Sequence, residues 1–382
     1  MPICAGAPVD RVTTRADRVL LVLPSLERGG GERVLLQLAG SFLAAGREVH
    51  VVALLGGGPL RPLVPDAVTL HELIDTGDAP KGLALAWKAF PKLASLIRTV
   101  KPHAVLSTMT GTNLLVVLAC MRARIRTRLV LREAASLVNT KSVLKRQAMR
   151  WLYRRADGLV AVSAGVAQDL RGLGLSDDRI HVIRNPVDVE RLRYLAGVGR
   201  PLSNHGDESY VVSLGRLAEQ KDHPTLLHAY AASALRASHR LVIVGGGEGH
   251  KRLQRLVNEL GLTDRVVFMG VMDNPYRVLM DAELHVLSSR WEGYPNVLLE
   301  ALALGVPVVS TDCPHGPREL LDDGRYGRLV PVADAAALAR AMDEELKQPS
   351  SGVEAVLAAH RPQVIASHYL ALLDGETGVL QS

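Results

Sequence analysis

Short, continuously apolar runs alternate along this chain with longer segments whose apolar positions recur every three to four residues. The first pattern marks strands buried on both faces, and the second marks amphipathic helices. Residues 19–23, 49–55, 104–108, 128–131, 158–162 and 180–183 read as strands. Between them, 32–45, 87–99, 113–122, 142–156 and 164–170 read as helices, the first of them stopped by Gly46. From Val187 to Glu208 the alternation breaks. It then restarts, with strands at 211–214, 241–244, 266–269, 284–287 and 308–310 and helices at 224–232, 250–260, 297–304, 333–347 and 362–373.

This alternation predicts an α/β protein whose parallel sheets carry helices on both faces. The 382 residues are too many for one core, which stops growing at roughly 250–300 residues. Two doubly wound, Rossmann-like domains in tandem are therefore expected. The first covers 18–190 and the second 209–361, with a linker at 191–208, a loose tail at 1–17 and a terminal segment at 362–382. Ligands of such sheets sit beyond the carboxyl ends of the strands.

Composition narrows the function. Aromatic residues are 4% of the chain, too few for a base-stacking nucleic-acid platform. The three cysteines, Cys4, Cys120 and Cys313, are too widely spaced for a zinc site or a disulfide framework, so a reducing compartment is expected. No apolar run reaches the ~18 residues of a membrane span, and no secretory leader is visible. A cytoplasmic protein follows as the expectation.

The net charge of +6 is unevenly placed. Residues 1–190 hold 26 Lys and Arg against 16 Asp and Glu, a net +10, and the remainder holds 19 against 23, a net −4. The segment 122–155 alone carries 11 basic residues and one acid, Glu133. So local an excess suggests a docking patch rather than a nucleic-acid surface. Within it, the helix 142–156 places Leu144, Ala148, Trp151 and Leu152 on one stripe and Arg146, Arg150 and Arg154 opposite, with Lys145 nearby. Such a helix packs its stripe on a sheet, or lays it on an anionic membrane surface with Trp151 at the interface.

Four strand ends carry candidate chemistry. Gly29, Gly30 and Gly31 open a helix, where bare amides attract phosphate, although a plain turn explains them equally. Gly215-Arg216-Leu217 with Lys221 offers two cations that reach one diphosphate. Gly245-Gly246-Gly247-Glu248 permits close backbone approach or is simply a permissive turn. Glu292-Gly293-Tyr294-Pro295-Asn296 and Glu300 bracket a helix start, with Pro295 suited to the first turn and the amides of Asn296 and Val297 left free for a ligand. Two carboxylates there suit sugar hydroxyls while the amides suit phosphate. The loop Thr311–Glu319 contains Cys313 and His315, but two such residues beside two prolines fall short of a metal shell, and a substrate-shaping loop fits better.

Together these motifs resemble glycosyltransferase family 4, the retaining nucleotide-sugar glycosyltransferases of GT-B fold. Glu292 and Glu300 match the E-x7-E motif. The likeness covers Val19 to Leu373 and includes Gly29–Glu32, Ile183-Arg184-Asn185-Pro186-Val187-Asp188, Gly215–Leu217 with Lys221, Gly245–Glu248 and Gly305-Val306-Pro307-Val308. The resemblance implies that Arg216 and Lys221 clamp the donor diphosphate and that Glu300 binds the ribose diol. It places Glu292 at the donor sugar, the amides of Asn296, Val297 and Leu298 at phosphate and sugar, and Gly270-Val271 near the base. It also implies a last helix that crosses back onto the first domain. Cys313–Glu319 and Ser107–Asn113 resemble bacterial enzymes of surface-glycan assembly.

A hexosyltransferase is thus expected, moving a hexose or N-acetylhexosamine from a UDP-sugar to a glycan acceptor, such as a polyprenyl-diphosphate-linked saccharide, at the inner face of the plasma membrane. No metal or other cofactor is expected. Many family members place a histidine in the first-domain cleft. Here the nearest, His103, precedes its strand, and Glu133 becomes the acceptor-side candidate. A nucleotide-sugar epimerase of the same architecture and a non-catalytic glycan-binding protein are the alternatives.

Overall fold

The computed structural model describes residues 18–75, 82–138, 140, 142–199 and 208–376. The expected tail at 1–17, much of the expected linker and the last six residues lie outside the described residues. Two compact units emerge among the described residues: those within 1–131, 155–158 and 370–382 form one, and those within 132–154 and 159–369 form the other.

In chain order the first half runs β1 (Arg18–Ser25), α1 (Gly30–Ala44), β2 (Glu48–Leu55), β3 (Thr69–Ile74), α2 (Leu83–Val100), β4 (Ala104–Thr108) and α3 (Thr110–Ala123). It continues with β5 (Arg128–Glu133), α4 (Val143–Tyr153), β6 (Gly158–Ala161), α5 (Ala164–Gly172), β7 (Ile180–Val182) and α6 (Val189–Val198). The strands form a seven-stranded sheet of order β3-β2-β1-β4-β5-β6-β7. β1 pairs in parallel with β2 and β4, Val19 opposite both Val49 and Ala104. Every residue of β4 is buried, which explains why its sequence reads as an unbroken small and apolar run.

The second half runs β8 (Tyr210–Leu214), α7 (His223–Ala232), β9 (Arg240–Val244), α8 (His250–Glu259), β10 (Val266–Gly270), α9 (Tyr276–Met280), β11 (Leu284–Leu287) and α10 (Asn296–Ala303). It ends with β12 (Val308–Thr311), α11 (Pro317–Leu320), β13 (Arg328–Val330), α12 (Ala335–Lys347), α13 (Glu354–Ala359) and α14 (Pro362–Asp374). Here the sheet is six-stranded, of order β10-β9-β8-β11-β12-β13, and parallel at every pairing. Its core gathers Val211, Leu226, Ile243, Val286, Leu338 and Met342. In both sheets the order reverses beside the first strand, between β1 and β4 and between β8 and β11. The expected pair of doubly wound parallel sheets is present.

Three local expectations are corrected. The stretch after Val187, expected to be irregular, contains α6, whose start is capped by Asp188 accepting from the Arg191 amide at 3.0 Å. It escapes notice because it buries only Leu192 and Ala196. β3 also escapes the apolar pattern, because it is a half-buried edge strand carrying His71 and Glu72. On α4 the buried face is Met149, Leu152 and Tyr153, while Leu144 and Trp151 are 84% and 54% exposed. The expected stripe therefore mixes inward and outward positions.

The terminal helix α14 belongs to both units, with the boundary after Tyr369. In the first unit Arg128 Nε donates to the Leu372 carbonyl at 2.6 Å. In the second unit Arg132 Nε donates to the Tyr369 hydroxyl at 3.1 Å.

Candidate functional site

A sheet whose strand order reverses opens a crevice between the loops that leave the two strands at the reversal. In the second unit those strands are β8 and β11, and their following loops carry Arg216 to Lys221 and Ser288 to Asn296. They meet at one ion pair. Lys221 Nζ lies 2.7 Å from Glu292 Oε1, with side chains only 14% and 8% exposed.

A ring of neutral groups fixes that pair. Ser289 Oγ donates to the same Glu292 oxygen at 2.6 Å. Gln220 Nε2 donates to Glu292 Oε2 at 3.3 Å and to the Trp291 carbonyl at 2.9 Å. Ser288 Oγ donates to the Lys221 carbonyl at 2.7 Å, and the Arg290 amide to that of Gln220 at 2.8 Å. The β12 loop joins them through the Glu292 amide, which donates to the Pro314 carbonyl at 3.1 Å. Arg216 stays exposed, its guanidinium 3.4 Å from Gln220 Oε1. A carboxylate and two cations thus converge at the reversal point, one cation largely withdrawn from water in an ion pair and the other exposed.

Two histidines lie beneath Lys221. His285 on β11 is completely buried, and neither ring nitrogen has a hydrogen-bond partner. Burial, aided by the Lys221 charge, pushes its pKa down to about 3. His223 opens α7 with Nδ1 likewise buried and unpartnered, and burial with Lys221 holds it down to about 4 against the opposing charge of Asp222. Both rings are therefore neutral.

The glycines explain how the loops fit. A Cβ at Gly245, where φ is +145°, would lie 1.9 Å from the Gly215 carbonyl oxygen, and one at Gly247 would lie 2.7 Å from that of Leu217. The close approach these glycines permit is therefore to the neighbouring β8 loop. Gly270 closes β10 with φ +68°, and Val271 beyond it is exposed and packs over Gly246. Gly293 lies against residues 134 and 135, so that a Cβ there would be 2.2 Å from the Ala134 carbonyl oxygen.

At the start of α10 the expectation of free amides needs correction. The Asn296 amide donates to the Tyr294 carbonyl at 3.0 Å and the Leu298 amide to that of Pro295 at 3.0 Å, because the chain tightens around Pro295 as the helix cap. The Asn296 side chain is engaged as well, its Oδ1 accepting from Asn185 Nδ2 at 2.7 Å. One turn along the helix, Glu300 is half-buried and accepts from the Tyr276 hydroxyl of α9 at 3.3 Å.

The loop after β12 is held by burial and by ties to neighbouring elements. Cys313 is buried, and burial with the Glu292 charge pushes its thiol up to about 12. His315 Nε2 lies 2.9 Å from Asp169 on α5, and the same Asp169 oxygen accepts from the Leu137 amide at 2.7 Å. Glu319 accepts from the Ala164 amide at 2.8 Å and from Arg184 Nε at 2.9 Å. Among the described residues no group of three His, Cys, Asp or Glu is placed to hold a metal ion.

Elsewhere in the second unit, Glu133 is 1% exposed and accepts from the Tyr153 hydroxyl of α4 at 2.8 Å. Lys145, Arg146, Arg150 and Arg154 are exposed on or beside α4. In the first unit Gly29, Gly30 and Gly31 lead into α1 as expected, with the buried Glu32 carboxylate folded against Gly29. His103 precedes β4, its amide bonded to the Arg18 carbonyl at the start of β1, and so sits at the amino ends of the strands. Sequence patterns missed Ser289, Gln220, Tyr276 and Asp169. Each is a common polar residue, and apart from Ser289, three residues from Glu292, each has a partner distant in the chain.

Comparison with known proteins identifies the family. The profile described as Glycosyltransferase Family 4 matches residues 28–191, and that described as Glycosyl transferases group 1 matches 200–359. A Campylobacter jejuni protein named N-acetylgalactosamine-N,N'-diacetylbacillosaminyl-diphospho-undecaprenol 4-alpha-N-acetylgalactosaminyltransferase is 30% identical over 318 residues, spanning 81% of this chain and 84% of its own. A second C. jejuni protein, a GalNAc-alpha-(1->4)-GalNAc-alpha-(1->3)-diNAcBac-PP-undecaprenol alpha-1,4-N-acetyl-D-galactosaminyltransferase, is 27% identical and covers 85% of this chain and 88% of its own. Among solved structures, Anabaena HepE in complex with UDP-glucose superimposes with a TM-score of 0.73 at 20% identity, covering 95% of this chain and 98% of that one. With the profiles, the relatives and the two parallel sheets in agreement, this chain belongs to the family 4 type glycosyltransferases of GT-B fold.

Proposed function

We propose that this glycosyltransferase moves a hexose or N-acetylhexosamine from a UDP-sugar, with retention, to a polyprenyl-diphosphate-linked saccharide. The observation that carries the reading is the Lys221–Glu292 pair at the strand-order reversal, with Arg216 beside it. The names of the C. jejuni relatives, which act on undecaprenol-diphosphate-linked saccharides, support the acceptor class. The HepE complex supports the nucleotide.

As the glycosidic bond breaks, negative charge grows on the departing diphosphate. Fixed charges aimed at that position stabilise the transition state without reorganising. Lys221 supplies one, held by Glu292, and Arg216 swings in as the second. These cations meet the charge requirement, so the reading needs no metal. Glu292 contacts the donor sugar, Glu300 the ribose diol, Gly270-Val271 the base, and the Val297 amide a phosphate. The leaving diphosphate and the incoming hydroxyl share one face of the sugar, and Glu133 is the polar group on the acceptor side.

No helix among the described residues is long and apolar enough to cross a membrane. A lipid-linked acceptor instead requires the enzyme to come to the bilayer. The exposed Leu144 and Trp151 beside Lys145, Arg146, Arg150 and Arg154 suit the anionic inner face of the plasma membrane.

The test is a panel of UDP-sugars incubated with a synthetic polyprenyl-diphosphate saccharide, with products read by mass and by anomeric couplings in NMR. An α-linked product from an α-linked donor is expected. A β-linked product removes retention. Conversion of the donor sugar without acceptor favours an epimerase, and no reaction with any nucleotide sugar favours a non-catalytic role.

A further inference from the structure

Arg132, next to last in β5, has no solvent exposure, although arginine is rarely found fully buried unless paired. Its Nε donates to the Tyr369 hydroxyl at 3.1 Å, and its Nη2 donates to Asn185 Oδ1 at 2.6 Å. A guanidinium has donors only, so the Asn185 side chain must turn its oxygen toward Arg132 and its NH2 away. That NH2 donates to Asn296 Oδ1 at 2.7 Å. Asn185 is 3% exposed, so water does not compete for the arrangement. The orientation of the Asn185 amide, and with it that of the Asn296 side chain at the start of α10, is thus set by a residue at the end of β5.

A second chain of bonds holds the same turn. The Val187 amide donates to the His360 carbonyl at 2.8 Å. His360 Nδ1 donates to the Val356 carbonyl, which leaves Nε2 as the acceptor for the Tyr294 hydroxyl. Burial pushes the His360 pKa down, which keeps this neutral tautomer. Tyr294 and Asn296 flank Pro295, so residues 185 and 187 grip the 294–296 turn from both ends.

We propose that Arg132 is a positioning residue for the donor site, acting through Asn185 on Asn296 and the first turn of α10. The proposal rests on the reading that this turn meets the donor. Arg132 touches neither reacting atoms nor nucleotide in this scheme. It fixes the register of the turn that follows Glu292, and placement errors of about 1 Å at such a site cost up to ~100-fold in rate.

The experiment compares Arg132→Lys, Asn185→Leu, Asn296→Ala and the Arg132→Lys/Asn296→Ala double variant. The first readout is amide hydrogen exchange on the unliganded protein. Exchange across 293–299 is expected to rise roughly tenfold in Arg132→Lys and Asn185→Leu, a local opening rather than a global one. The second readout is kcat/KM for the UDP-sugar that the wild type uses. Arg132→Lys is expected to lose about tenfold in the wild-type background and less than twofold once Asn296 is alanine, as residues acting through one another do. Additive losses, or faster exchange confined to β5 and α14, would overturn the proposal. Asn185→Leu supplies the exchange result if Arg132→Lys does not fold. The exchange readout needs no donor. A wild type that binds no UDP would therefore count against the functional reading, while exchange still decides the role of Arg132.

Discussion

The ammonium of Lys221 and the carboxylate of Glu292 hold each other at 2.7 Å with both side chains largely withdrawn from water. Removing one partner of such a pair leaves an uncompensated charge and costs about 3–5 kcal/mol, whereas removing both costs far less. Lys221→Met is therefore expected to lose stability and, by removing a charge from the departing diphosphate, at least ~100-fold in turnover. The double variant Lys221→Met/Glu292→Gln should recover most of the stability and none of the turnover. Urea denaturation beside a transfer assay separates the two effects. Recovery of turnover along with stability would show that Lys221 matters only to folding.

Gly293 and Gly270 make a matched contrast. At 293 a methyl group would collide with the Ala134 carbonyl at 2.2 Å, and that atom is backbone, so it cannot swing aside. At 270 a methyl group meets nothing within 4 Å, and only the φ of +68° resists it. Gly293→Ala is expected to cost more than about 3 kcal/mol and to lower turnover with it, as overpacking and displaced backbone do. Gly270→Ala should cost about 1 kcal/mol, the ordinary penalty of a left-handed residue. Thermal unfolding of both variants checks the order, and equal shifts would contradict it.

The contrast between these elements shows what the sequence discloses. β4 and β8 were legible because burial on both faces makes their runs continuously apolar. β3 was not, because an edge strand keeps one side toward water and tolerates His71 and Glu72. α6 hid because a helix burying two residues has almost no stripe. Lys221 and Glu292 were found from opposite ends of a 71-residue gap because each lies on the loop that follows a strand beside the reversal, where loop residues carry chemistry. Their supports, Ser289 and Gln220, were not found, since a serine and a glutamine mean nothing until the fold names a partner. The amide of Asn296 was misread for a similar reason. A helix start predicts free donors, but the turn around Pro295 had already consumed that one.

Acid stability should follow His285 and His223. Their folded pKa values, about 3 and about 4, lie below the usual 6.5. Between those values and 6.5 the unfolded chain binds more protons than the folded one, so stability is full above pH 6.5 and falls as pH drops through that window. Each group contributes a slope of up to about 1.4 kcal/mol per pH unit. His285→Leu removes one proton-binding group and two unsatisfied ring nitrogens. Urea unfolding at pH 6.5 and pH 5 is expected to show a loss about 2 kcal/mol smaller in the variant than in the wild type. Equal losses would mean that the buried ring does not control the acid limb.

The outward face of α4 yields the last prediction. Only Met149, Leu152 and Tyr153 of this helix are buried. Leu144 at 84% exposure and Trp151 at 54% therefore add apolar surface to water that folding does not use. Alone, such exposure is unremarkable for single residues. It gains meaning from the flanking Lys145, Arg146, Arg150 and Arg154, since each basic residue near an anionic bilayer contributes about 1 kcal/mol. Reversing Arg146, Arg150 and Arg154 to glutamate should thus weaken binding to vesicles rich in anionic lipid by at least ~100-fold, with Trp151→Ala a smaller loss that added salt does not mimic. Turnover on a short water-soluble acceptor should stay unchanged in both, because none of these residues belongs to the Lys221–Glu292 constellation. Vesicle co-sedimentation over a salt series measures the first effect. Undiminished binding of the triple variant would return α4 to the role of an ordinary solvated helix.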